Sequence, residues 1–334
     1  MELPNIEEWN LNAVDFDDFS LDADQMVLAA VAMCQDLGLL RRFLIQPSLL
    51  FRWLLTVRRN YRDIPYHNWR HAFNVAQNMY AMLKNSLLRE CFSDEEVLAL
   101  FVSCLCHDLD HRGTNNAYQA KSGSALAASY GTEHTMEHHH FNHAILILSS
   151  EDHNILAEFS AEAYAQIVTL IKHCILATDL TVYFKNRNEF QEMTAELRDI
   201  LQLPKDEAVK YLTEDERREL LQAQLMTACD LAACTKQWDI QRRVAYLVTT
   251  EFFDQGDKEM TELNLEPAAP MDRRRKHEFP FLQYKWIRDV CLPLYTAVGK
   301  LDSNLSQMAE RAASNMAHWR REAEALHLLN EDEI

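Results

Sequence analysis

Apolar residues recur along most of this chain at intervals of three and four, the spacing that lines one face of an α-helix. Asp24 to Cys34, Pro47 to Val57 and Ser93 to Phe101 each open on a capping residue or a helix-start proline and run into an apolar stripe. Similar stretches follow near 138–149, 160–177, 214–234, 239–253, 281–298 and 304–327. Alternating runs bounded by turn dipeptides are not evident, nor is an internal repeat, so the pattern predicts an all-α domain. Three stretches break the period and are expected to be irregular: His111–Gly131, Lys185–Asp215 and Gly256–Pro280. The last holds three of the eight prolines and the basic run Arg273–Lys276; it reads as a mobile functional loop or as a solvated connector. The first twenty residues, acidic and aromatic without a period, are expected to lie over the surface as an N-terminal extension (1–20).

Composition narrows the function. With 48% apolar and 25% charged residues over 334 positions, the chain has the makeup of a folded globular protein. Six glycines, with neither a GxGxxG nor a GxxxxGK[ST] pattern, argue against a Gly-rich phosphate loop. A net charge of -18 argues against a nucleic-acid polymer as partner. A small anionic substrate would need local positive charge, which a bound metal can supply. The eight cysteines sit mostly in apolar runs without zinc-ribbon or disulfide-scaffold spacing, and read as reduced, buried thiols. The N-terminus is acidic, and the most apolar run, Val97 to Cys106, is too short to cross a bilayer. No membrane span is expected, and the expected compartment is the cytoplasm.

Nine of the fourteen histidines fall between positions 67 and 143, four of them as the pairs His67/His71 and His107/His111. A helix after Pro65 puts His67, His71, Val75, Met79 and Met82 on one stripe, although a hydrogen-bonded core histidine is the simpler account of either ring alone. The second pair is harder to explain structurally: the nearly all-apolar run Val97–Cys106 leads straight into His107, Asp108, Asp110 and His111. Burying carboxylates without compensation is very costly, so these must be near the surface, paired with cations or bound to metal. Asp230 is likewise the one charged residue between Leu220 and Thr235, and needs a partner, whether as a cap, in a salt bridge or on a metal. Two imidazoles and two carboxylates suit Zn²⁺, and a carboxylate shared with a second ion suits Mg²⁺ or Mn²⁺.

A histidine, an adjacent His-Asp pair and a distant Asp, in that order in a helical protein, form the HD-type phosphohydrolase arrangement. The strings Tyr66–Asn74, His107–Asn116, Ile175–Leu180, Leu225–Leu231 and Glu251–Asp257 are more specific. Together they closely resemble the catalytic domain of the class I 3',5'-cyclic nucleotide phosphodiesterases, over roughly residues 20–325. The resemblance implies a compact HD-type domain of about 16 helices in fused helical subdomains, spanning 21–327 and followed by a 328–334 tail. It implies that His71, His107, Asp108 and Asp230 hold a tight Zn²⁺, and that Asp108 bridges to a second ion, Mg²⁺ or Mn²⁺. The waters of that second ion would be held by His111, Glu137 and Thr178. A bridging hydroxide would attack phosphorus while His67, oriented by Glu251, protonates the leaving 3'-oxygen. The histidines around Thr132–His140 are expected to be structural or free surface imidazoles, including His134 and some of His138 to His140, with Glu137 the useful residue among them.

The resemblance also places a nucleotide site. Gln283 would read the purine edge, between an apolar wall of Val248 and Phe252 and the aromatic Trp286, with Leu282, Tyr66 and Asn116 nearby. Read without it, Phe252 and Trp286 are ordinary apolar helix positions. Trp286, where most of the family has phenylalanine, is similar to the dual-specificity type-11 branch, as is the string Gln119–Leu126. Gln241 is similar to the cGMP-specific type-5 branch, where a second glutamine orients the first. The implied reaction is hydrolysis of cGMP, and of cAMP as a second substrate, to the 5'-monophosphate. The alternative is an HD-type metallophosphohydrolase acting on another nucleotide phosphate ester. Regulatory GAF domains, usual in those branches, are expected to be absent from this chain, and homodimerisation is left open.

Overall fold

Helices start where the sequence supplies caps. Asp22 and Gln25 close a reciprocal box at the head of Ala23–Asp36, Ser93 and Glu96 do the same for Asp94–Cys106, and Pro47 opens Pro47–Arg59. The computed structural model, which describes residues 3–200 and 205–329, contains α-helices linked by short 3-10 turns and, among the described residues, no strand. One continuous apolar core runs from Leu11 to Trp319. No single described helix is long and apolar enough to cross a membrane.

The Asp94–Cys106 helix is the hub. Every residue from Val97 to Cys106 is buried, between the helices Trp69–Asn85 and Ala161–Leu176, with Asp215–Asp230 also packed against it. Each large apolar side chain buried there contributes about 1.5–3 kcal/mol, which together offsets the penalty for the charged groups at the helix end. His107 caps that end; His71 lies in the first turn of Trp69–Asn85, and Asp230 is the last residue of Asp215–Asp230. Three helix termini thus deliver the implied metal ligands to one point.

The structure corrects all three expectations of irregularity, the first because His111–Gly131 holds the short helices Asn116–Ser122 and Ala125–Tyr130. Within Lys185–Asp215 it has the helices Leu180–Ile200 and Lys205–Leu212, while residues 201–204 lie outside the described ones. Tyr183, Phe190, Met193 and Leu197 form a buried stripe at helical spacing, hidden in the sequence by the charged residues between them. In Gly256–Pro280 the helix Trp238–Glu262 continues past Gly256. That glycine serves close approach rather than termination, since a Cβ would stand 1.9 Å from the Met271 carbonyl oxygen. The three arginines of the basic run are paired: Arg273 reaches Asp254 and Asp257 at 2.7 and 2.8 Å, Arg274 pairs with Asp272 and Glu266, and Arg275 pairs with Glu278. The 328–334 tail falls mostly outside the described residues.

Residues 3–21 form a strap whose Leu11, Val14 and Phe16 enter the core rather than resting on the surface. Buried polar side chains bind its backbone: Gln77 Nε2 donates to Leu11 and Ala13 carbonyls at 2.9 and 2.8 Å, and Lys236 Nζ donates to Val14 at 3.0 Å. Arg70 donates to the Leu21 carbonyl at 3.0 Å, and Asn74 to the Asp18 carboxylate at 3.0 Å.

Between the helices Phe279–Trp286 and Leu292–Leu301 lies one π turn, Ile287–Cys291. Pro293 has no N–H to offer the Asp289 carbonyl four residues earlier, and its ring crowds that position. Tyr183 Oη donates to the adjacent Val290 carbonyl at 3.1 Å.

Candidate active site and metal centre

One ligand atom from each of His71, His107, Asp108 and Asp230 lies within 4.8 Å of the others. His71 Nε2 is 3.3 Å from Asp108 Oδ2 and 2.9 Å from Asp230 Oδ1; His107 Nε2 is 3.1 and 3.2 Å from the same oxygens. The two Nε2 atoms face each other at 3.1 Å. Such edges suit donors sharing one ion with bonds of about 2.0–2.2 Å. His107 Nδ1 donates to the Cys104 carbonyl at 2.8 Å, which turns Nε2 to the centre, the orientation of metal-bound histidines. Burial opposes charge throughout, yet His107 and Asp108 hold each other ionised, the ring well above and the carboxyl well below its ordinary range. A divalent cation would take over the balancing role of those ring protons, so the donor set fits a metal.

Beside this cluster opens a cavity of about 740 Å³, in the range of small-molecule sites. Glu251, 3% exposed, accepts from the backbone N–H groups of Tyr66 and His67 at 2.9 and 3.1 Å and from His67 Nδ1. The left-handed Gly113 makes room, for its Cβ would sit 3.3 Å from Glu251 Cγ. Burial would neutralise His67, but Glu251 and Asp108 override it and push the ring up to about 9. Burial also opposes charge on Glu251, which the His67 cation overcomes, pulling it down to about 2. His111 stacks on His67 with centroids 4.1 Å apart and is pushed down to about 3 by burial and by the His67 charge. The surroundings of one ring therefore favour its charged form, and those of its neighbour the neutral form.

Glu137 and Thr178 line the same cavity as Asp108. Glu137 rises to about 7, from burial and then the nearby Asp179 charge. Asn116 also borders the cavity, but its amide is fully engaged: it donates to Glu137 at 2.9 Å and Asp179 at 3.3 Å and accepts from Met136 N at 2.8 Å. Asp179 was not singled out from the sequence; its place one residue before the helix Leu180–Ile200, where it accepts from Thr181 N at 2.8 Å, is the capping signal that could have found it. His134 Nδ1 lies 2.7 Å from Asp179 Oδ2, His139 Nε2 lies 2.8 Å from Asp110 Oδ2, and His140 Nδ1 donates to Leu109 at 2.6 Å. The expectation of a free imidazole is thereby corrected at His134, while helix Thr135–Leu148 turns His139 and His140 inward as structural histidines.

The opposite wall is apolar. Val248, Phe252, Leu282 and Trp286 line it with Gln283 and Gln241, and Tyr66 closes the side next to His71, ring centroids 4.6 Å apart. The Gln241 oxygen accepts from Trp319 Nε1 at 2.9 Å, which fixes its amide orientation with the NH₂ group remaining as donor. Ala268, Pro270 and Met271 complete the mouth, a contribution of the 263–278 segment that no periodicity announced.

A family model described as 3'5'-cyclic nucleotide phosphodiesterase matches residues 66–312, a span that begins at Tyr66 and contains every residue of this site. The chain belongs to that family. Among similar proteins, a dual 3',5'-cyclic-AMP and -GMP phosphodiesterase 11A of Takifugu rubripes is 50% identical over 95% of this chain and 34% of its own length. A dual phosphodiesterase 11 of Drosophila melanogaster is 43% identical over 96% of the chain and 21% of its own. A cGMP-specific 3',5'-cyclic phosphodiesterase of the same fly is 44% identical over 96% and 28%. The chain thus spans about a third or less of the length of the relatives it matches. This phosphodiesterase sequence stands near the type-11 and type-5 branches, in line with the resemblance carried by Trp286 and Gln241.

Proposed function

We propose that this chain hydrolyses the 3'-phosphoester bond of 3',5'-cyclic nucleotides, cGMP and also cAMP, to the 5'-monophosphate. The observation that carries the reading is the His67–Glu251 pair set beside the four-ligand cluster on the floor of a cavity whose far wall is apolar and carries Gln283. The names of the similar proteins, which include both dual-specificity and cGMP-specific enzymes, support both substrates.

His71, His107, Asp108 and Asp230 would hold Zn²⁺, with Mg²⁺ or Mn²⁺ on the free side of Asp108, near His111, Glu137 and Thr178. When bound, such ions neutralise phosphate charge and lower the pKa of water at the floor. The remaining steps belong to side chains. Trp286 and Phe252 clamp the base while the Gln283 amide meets its edge, so the ring sits on the apolar wall and the phosphate on the floor. Water adds to phosphorus, the bond from phosphorus to the 3'-oxygen breaks, and that oxygen takes the proton from His67 Nε2. The proton released by the attacking water restores the ring, and Glu251 at Nδ1 favours the charged form before the transfer.

Steady-state turnover of cGMP and cAMP by one preparation supplied with Zn²⁺ and Mg²⁺ tests the proposal; both should give the 5'-monophosphate. Consumption of nucleoside triphosphates with both cyclic nucleotides intact would overturn it in favour of another phosphate ester.

A further inference from the structure

One cluster of ionisable side chains is not used by that reaction. Asp110, His139 and His143 place one ligand atom each within 4.8 Å of one another. His139 and His143 are one turn apart on the helix Thr135–Leu148, with ring centroids 4.6 Å apart at 76°. Asp110 is held by Arg62 at 2.7 Å and Arg112 at 3.1 Å. Its carboxylate can only accept, so His139 donates to it from Nε2, 2.8 Å away. That tautomer leaves a bare lone pair on His139 Nδ1.

That nitrogen is buried and has no hydrogen-bond partner, on a residue only 6% exposed; Nδ1 of His143 is buried and unpartnered as well. A buried polar atom left unsatisfied costs about 1–3 kcal/mol, and here two such atoms sit on rings whose centroids are 4.6 Å apart. A carboxylate behind the ring is the arrangement that metal-binding histidines adopt. His140, between them in sequence, faces elsewhere: its Nδ1 is spent on Leu109, and its Nε2 lies 3.6 Å from Asp108.

We propose that His139 and His143 form a further cation site, apart from the catalytic centre, that takes a borderline divalent ion such as Zn²⁺, Ni²⁺ or Cu²⁺ through ring nitrogens, with Asp110 behind His139 and water completing the shell. Two protein nitrogens, with two guanidinium groups close by, make it weaker than the four-ligand centre, so it fills after that centre. A bound ion would staple one turn of the Thr135–Leu148 helix.

The experiment is equilibrium dialysis of the full chain, first saturated with catalytic metals, against increasing Zn²⁺, for the wild type and for His143→Gln. The wild type should take up one further saturable equivalent that the variant lacks, while the variant keeps its tightly held zinc and its turnover. Cu²⁺ added to the zinc-saturated wild type should show nitrogen hyperfine splitting from two imidazoles, a readout that needs no variant. Equal uptake by both proteins, no further equivalent, or a copper signal without nitrogen splitting would overturn the site, a water then satisfying both nitrogens. Because metal content is the readout, loss of the proposed cyclic nucleotide turnover would leave this inference standing.

Discussion

The two walls of the cavity are built on opposite principles. On the floor, ionisable groups converge, and backbone groups behind two of them fix their orientation: His107 donates to the Cys104 carbonyl, and Glu251 accepts from Tyr66 N and His67 N. On the far wall, Val248, Phe252, Leu282 and Trp286 are ordinary apolar helix positions that line the cavity, Trp286 packed against the core. A floor of coupled charges should fail abruptly when one member is lost, whereas a packed wall should lose function by degrees.

The largest expected effect is that of Asp230→Ala. It leaves two buried rings facing one carboxylate, and turnover should fall by about 10³-fold or more, equivalent to about 4 kcal/mol or more, together with tightly held zinc. Metal analysis alongside the rate checks this; full zinc with no activity would break the comparison at its strongest point. Next, His67→Ala should lower turnover by about 10²- to 10⁴-fold while sparing zinc. The same pair makes a pH statement. His67, raised from 6.5 to about 9, contributes stability fully present below its ordinary value and lost as pH rises through about 9; Glu251, lowered from 4.5 to about 2, contributes above its ordinary value and loses it as pH falls through about 2. NMR of the His67 ring in protein stripped of metal should show the upper step, and loading should move it to lower pH, because a cation on Asp108 removes one of its supports.

Gly256→Ala should act on the wall's rim. The new Cβ cannot coexist with the Met271 carbonyl, so the segment that lines the mouth must shift, costing about 1–3 kcal/mol in thermal unfolding and raising KM more than it lowers kcat. The smallest change should come from Gln283→Ala, about tenfold in KM or ~1.4 kcal/mol, with kcat nearly kept. A collapse of kcat there would show that the base wall, too, behaves as an all-or-none unit.

This difference also explains what could be read from the sequence. Asp108 and Asp230 stand out because a carboxylate in an apolar helix demands a partner, and His71 and His107 follow as the groups able to provide one. Trp286 and Phe252 look like any buried aromatic, so only the family resemblance singled them out. The helix Leu180–Ile200 was missed because its stripe of Tyr183, Phe190, Met193 and Leu197 is diluted by charge, a pattern that tertiary burial decides rather than local propensity. Asn116, expected near the substrate, borders the cavity and also ties Glu137 to Asp179, a link visible only once three segments far apart in sequence are brought together.

The N-terminal strap gives the metal centre a longer reach than its four ligands suggest. Arg70 and Asn74, which flank His71 in sequence and on its helix, are the residues that grip Leu21 and Asp18. Ordering the strap and aiming the His71 ring are therefore parts of one preorganisation, its entropic cost met during folding rather than when a cation arrives. How tightly the four-ligand cluster could hold an ion would then depend in part on residues some fifty positions upstream of His71.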